Sequence, residues 1–169
     1  MHLHRYGRKR MVNGIALLRF AVSLLLLTAC GSGEVPLPQS IGVLRLEKLQ
    51  AGEEARREID RLHGKQIGFQ RGYIGFYVAE TGSAQLWLSE HSSNSEAAAA
   101  VEKMAGSLRQ GKQQNFWHFR QMVIEKRTVY FAVGMGKVHY FFQKGAKVIW
   151  LAVDPALAKE AIRDAVRSY

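Results

Sequence analysis

The chain has 169 residues, 24 Lys and Arg against 14 Asp and Glu, and a formal charge of +10. Its single cysteine rules out an internal disulfide framework and a multi-cysteine metal site. Bases and acids are interleaved beyond residue 34, unlike the clustered patch of a nucleic-acid reader, so no nucleic-acid partner is expected.

The first element is the run Phe20-Ala21-Val22-Ser23-Leu24-Leu25-Leu26-Leu27-Thr28-Ala29-Cys30. Arg5, Arg8, Lys9, Arg10 and Arg19 precede it, and no Asp or Glu occurs before Glu34. A basic head, a short apolar stretch and small residues at its end make a secretory signal. A membrane span needs about 20 apolar residues, and Ile15 to Ala29 falls short and is broken by Arg19. A start at Met11 would leave Met11 to Ala29 as a compact signal.

Leu27-Thr28-Ala29-Cys30 resembles the lipobox of bacterial lipoproteins. The resemblance implies removal of residues 1–29, a lipid (palmitate or a similar acyl chain) on Cys30, and attachment to a membrane. Gly31 stands where an Asp would signal retention in the inner membrane, so the same resemblance implies the outer membrane, facing the periplasm, in a host with two membranes. Residues 31–40, with two Gly, two Pro and two Ser, read as a tether. Residues 41–169 then form a single globular domain. Beyond residue 29 there are 19 Lys and Arg against the same 14 acids, a net of +5.

Ile41 to Leu49 alternates partly and predicts a short strand centred on Val43 and Leu44. Glu53 to His63 predicts a helix, with Ala55, Ile59 and Leu62 on one stripe, acids in its first turn and Gly64 as C-cap. Strands are expected at 66–69, 73–79 and 84–89, separated by turns at Arg71-Gly72 and Thr81-Gly82. Ala84, Leu86 and Leu88 should share one face, and Gln85, Trp87 and Ser89 the other.

Ser93 and Glu96 form a capping box for a second helix carrying Ala97, Val101, Met104 and Leu108, closed by Gly111. After a polar loop, strands are expected at 122–124, 129–133, 138–142 and 147–153. Asp154 and Pro155 then start a terminal helix. Leu86-Trp87-Leu88-Ser89 and Ile149-Trp150-Leu151-Ala152 each run into a helix, which suggests a faint repeat. The expected fold is α+β: a two-layer sandwich, mainly antiparallel, with helices on one face and two strand-strand-strand-helix units after a leading helix. The domain resembles small exported bacterial lipoproteins.

Signals for chemistry are sparse. His63, His91, His118 and His139 have no metal-ligand spacing, so no metal or other cofactor is expected. Ser89-Glu90-His91 cannot form a triad by itself, because strand neighbours point to opposite faces, and there is no Gly-x-Ser-x-Gly elbow. No catalytic residue is expected. The aromatic residues are more informative, since consecutive rings on strands must point both ways and leave some outside the core. Phe116, Trp117, Phe119 and Tyr140 are the candidate binding residues, with Trp117 presented by a loop and Trp150 structural. The expected function is a membrane-anchored, non-enzymatic module binding an envelope protein or small ligand. A structural or assembly factor of an envelope complex and a histidine-dependent hydrolase or metalloprotein are the alternatives.

Overall fold

Alternating apolar and polar side chains build one eight-stranded antiparallel sheet in this computed structural model, which describes Met1, His2 and residues 36–169. The signal, Cys30 and the first part of the tether lie outside the described residues. The chain begins with β1 (Ser40–Ile41) and β2 (Leu44–Ala51), then α1 (Gly52–His63). Gly64 closes α1 in the left-handed conformation (φ 66°), and its N–H and that of Lys65 reach the Arg61 and Asp60 carbonyls.

Residues 66–69 are irregular, not the expected strand. The Ile67 N–H donates to the Asp60 carboxylate, and the Arg56 guanidinium donates to the Phe69 and Gln70 carbonyls, so side chains of α1 take the backbone groups a strand would use. The turn expected at Arg71-Gly72 lies instead inside β3 (Arg71–Ala79). A Cβ on Gly72 would stand 2.9 Å from both Ile59 and Phe69, so this glycine admits α1 onto the strand and does not break it.

β3 turns through Glu80 and Thr81 into β4 (Gly82–Glu90), followed by α2 (Asn94–Arg109). The Ser93 hydroxyl accepts from the Glu96 N–H, but the Glu96 carboxylate accepts from Ser92, one residue before the usual capping-box partner. Four strands then run consecutively: β5 (Phe116–Ile124), β6 (Arg127–Gly134), β7 (Lys137–Lys144) and β8 (Lys147–Val153). A 3₁₀ turn (Pro155–Leu157) leads into α3 (Ala158–Ser168). Asp154 does not cap this helix. Its carboxylate accepts from the Ser83 N–H at 2.7 Å and from the Lys137 ammonium at 2.7 Å, clamping the starts of β4 and β7 to the end of β8. These donors hold the Asp154 carboxyl below its usual range, Lys137 contributing most.

The strand order is β1-β2-β3-β4-β8-β7-β6-β5, so β4 and β8 meet at the centre with Trp87 opposite Trp150. Helices cover both faces, which corrects the expected two-layer arrangement. α3 packs on the face of Leu86, Leu88, Leu151 and Phe142 through Ala161, Ile162, Ala165 and Val166. α2 packs on the other face, on Tyr130, Phe141 and Val148, and α1 joins it there on Ile74 and Phe76. The expected repeat is also broken, because only β3 and β4 stand between α1 and α2, while four strands precede α3. β8 is therefore apolar on both sides, whereas β4 carries Gln85, Trp87 and Ser89 on the face of α1 and α2. Leu86 and Leu151 are fully buried on one face, and Phe141 on the other.

Candidate functional site

The aromatic segment Phe116-Trp117-His118-Phe119 is the first part of the edge strand β5 and not a loop. Its alternation is hidden by a bulge. Trp117 pairs with Val133 and Arg120 with Phe131, so His118 and Phe119 together oppose Ala132. His118 absorbs the extra residue with a left-handed backbone (φ 57°) and an exposed side chain.

The bulge divides the three candidate binding residues on β5, and the fourth, Tyr140, lies on β7. Phe116 and Phe119 turn toward α2. Phe116 stands edge-on to His139 at 4.9 Å, and Phe119 stacks on Tyr130 at 6.0 Å. From Phe119 a continuous row of stacked rings crosses the sheet, Tyr130 to Phe141 at 5.0 Å and Phe141 to Trp150 at 4.7 Å. Tyr140 points to the opposite face and is buried beside Phe131. Trp117 also lies on that opposite face but remains 50 % exposed. Of the four, only Trp117 presents its ring to solvent.

The aromatic row has two polar anchors that are not legible in the sequence. The Trp150 indole N–H donates to Nδ1 of His139 at 3.0 Å, and Nε2 of His139 contacts the Gly134 carbonyl at 3.0 Å. One nitrogen must accept and the other donate, so His139 is the neutral Nε2–H tautomer. Burial lowers its pKa in the same sense. The Tyr130 hydroxyl donates to Glu102 on α2 at 2.5 Å, and burial, reinforced by that carboxylate, raises the Tyr130 pKa.

Ser89 and His91 do come together: the serine hydroxyl and Nε2 of His91 are 3.1 Å apart. His91 lies just past the end of β4, so the hydroxyl stands beside a histidine whose pKa burial lowers. Glu90 does not join them. It accepts from Arg71 at 2.5 Å, with Lys147 3.7 Å away. His91 borders a shallow cleft of about 490 Å³ with Arg71, Lys144 and Lys147, but Ser89 does not line it. A second cleft of about 500 Å³ lies between α1 and the sheet, lined by Glu54, Arg57, Arg61, Phe76 and Gln85.

His63 contacts the Ile59 carbonyl through Nδ1 within its own helix. Among the described residues no three His, Cys, Asp or Glu side chains gather as metal ligands would.

Charge distinguishes the β5 region from these clefts. From Lys103 to Ile124 there is no Asp or Glu, while Lys103, Arg109, Lys112 and Arg120 are all cationic. None of these four takes part in an ion pair among the described residues. Arg120 instead lies over the Phe131 ring at 4.4 Å and Arg109 over Phe119 at 5.8 Å. The arrangement is an exposed indole on a sheet edge, with Arg120 on the same face of the strand and Arg109 over Phe119 on the other. No protein-family model, curated protein or solved structure matches this chain.

Proposed function

We propose that this chain is the precursor of a lipid-anchored envelope protein whose domain, residues 41–169, is a non-enzymatic binding module. The lipobox-like Leu27-Thr28-Ala29-Cys30 supports the address, with residues 1–29 removed, the lipid on Cys30 and residues 30–40 as tether. No helix among the described residues is long and apolar enough to cross a membrane. Two or more acyl chains on Cys30 would anchor the protein stably where one would not.

The observation that carries the binding reading is Trp117, a large amphipathic ring left half in water on a bulged edge strand that carries Arg120 on the same face. Trp150, engaged with His139 and Phe141, is the structural counterpart.

Two measurements test the two halves. Cys30→Ala should abolish incorporation of a labelled fatty acid and leave the signal uncleaved, and unchanged labelling would refute the anchor. A photo-crosslinking amino acid at position 117 of the intact protein, in its native membrane, should give a discrete adduct. The same amino acid at Val43, exposed on the first hairpin, should not. Equal labelling at both positions would refute a binding surface at Trp117.

A further inference from the structure

A strand at the end of a sheet carries N–H and C=O groups that pair with any extended chain able to reach them. β5 is such a strand, bonded only to β6. Among the described residues no side chain or loop hydrogen-bonds to its backbone from Trp117 to Ile124. Val123 projects from it 72 % exposed on the face of α2, while Trp117, Arg120 and Met122 line the opposite face.

The charge on this edge selects what can lie there. A second copy pairing antiparallel about Arg120 would set that guanidinium against its own counterpart, and like charges directly opposed across strands are unfavourable. The bulge between Trp117 and Arg120 further interrupts a long, regular self-pairing. Neither feature obstructs a short strand of opposite charge. Arg120 is held over Phe131 without a carboxylate partner, so its charge is available to an incoming residue. Arg120 to Ile124 keeps an unbroken register with β6 and is long enough to template a short peptide.

We propose that β5 is a strand-addition site for an extended acidic peptide segment of a partner protein. This names the partner class for the surface proposed above and so rests on that reading. The incoming backbone pairs along Arg120 to Ile124. Carboxylates on one of its faces meet Arg120, and an apolar residue packs on Trp117. Main-chain bonds supply affinity and the alternating side chains supply selectivity.

The test uses the full chain in detergent micelles and fluorescein-labelled octapeptides followed by anisotropy. An alternating Glu-Val peptide should bind, with affinity falling as salt rises through screening. Its analogue N-methylated at every second residue keeps charge and side chains but loses the pairing N–H groups. It should bind at least about tenfold more weakly, about 1.4 kcal/mol. Arg120→Glu should lose the Glu-Val peptide and take up a Lys-Val one, a reversal that misfolding cannot produce.

Equal binding of the N-methylated peptide would reduce the site to a charged patch and overturn strand addition. So would a protein dimer in sedimentation that Arg120→Glu dissociates, since the edge would then pair with itself. Binding to phosphatidylglycerol vesicles with none to the peptide would overturn it in favour of a lipid surface. Failure of the peptide together with a discrete crosslink at position 117 removes strand addition alone. Failure of both removes the binding surface as well.

Discussion

The β1–β2 end of the sheet is tied down by the C-terminal helix and the residues before β1, whereas β5 has no partner strand beyond β6 and is otherwise held by Phe116 and Phe119 packing toward α2. At the first end, the Gly42 N–H donates to Asp164 on α3 at 2.8 Å. Tyr77 and Tyr169 donate to the Pro38 and Pro36 carbonyls. Leu37, Ile41 and Leu44 are essentially inaccessible. At the other end most of β5 is exposed or half-buried, and Trp117 and Val123 stand in solvent. The first edge is pinned at β1 by buried side chains and backbone bonds, although most of β2 is exposed or half-buried, while β5 carries a bulge and cations. A pinned edge strand leaves little room for a partner there, but charge excludes only partners of the same sign.

The largest test of this contrast is Leu44→Ala. It removes a fully buried side chain under the first edge and should cost about 2–5 kcal/mol in urea unfolding. A loss below about 0.5 kcal/mol would mean that the first edge is as loose as the second.

Asp164→Ala comes next. It leaves the Gly42 N–H without its acceptor at a partly exposed site, and about 1 kcal/mol is expected from the same measurement. Native-state hydrogen exchange should quicken at Gly42 and not along β5, and the reverse pattern would contradict the assignment.

Acid should act on the opposite half. Burial holds the pKa of His139 below its usual value, so the folded protein refuses a proton that the unfolded chain accepts below about pH 6.5. The contribution is complete above that pH and lost as pH falls through it. A charged His139 could no longer accept from the Trp150 indole, and it would face Phe116 edge-on. Exchange at pH 5 should therefore rise in β5–β7 more than in β1–β2, and His139→Gln should flatten the slope. A uniform rise would place the acid sensitivity elsewhere.

The smallest effects belong to the open edge itself. Trp117→Ala and Val123→Ala should each change stability by no more than about 0.5 kcal/mol. A fall of 2 kcal/mol or more for Trp117→Ala would show that the ring is core. Either way the two edges would then be compared on measured numbers.

Much of the local structure is legible in the sequence for identifiable reasons. Ala84, Leu86 and Leu88 face one way because strand side chains alternate, and the helix from Asn94 starts where Ser93 offers its hydroxyl. Gly64 ends α1 because only glycine takes the left-handed turn cheaply. Where a residue type has two uses, the sequence misleads. Gly72 reads as a turn but serves as a contact, and Asp154 reads as a cap but serves as a clamp. At the candidate site the aromatic enrichment is visible and its division is not. One inserted residue, His118, turns Phe119 to the face of Phe116 and leaves Trp117 on the other, the face that Tyr140 takes by the alternation of β7.

The sequence by itself determined an α+β chain, the alternation of its central strands, and the limits of α1 and α2. These depend on propensities, caps and periods that act within a few residues. Only the tertiary structure decided that α3 lies on one face of the sheet with α1 and α2 on the other, and that His139 meets Trp150. It alone decided that Trp117 is left at an open edge. Which face a helix covers and which ring stays in water depend on contacts between distant residues, and no local pattern encodes which partner arrives.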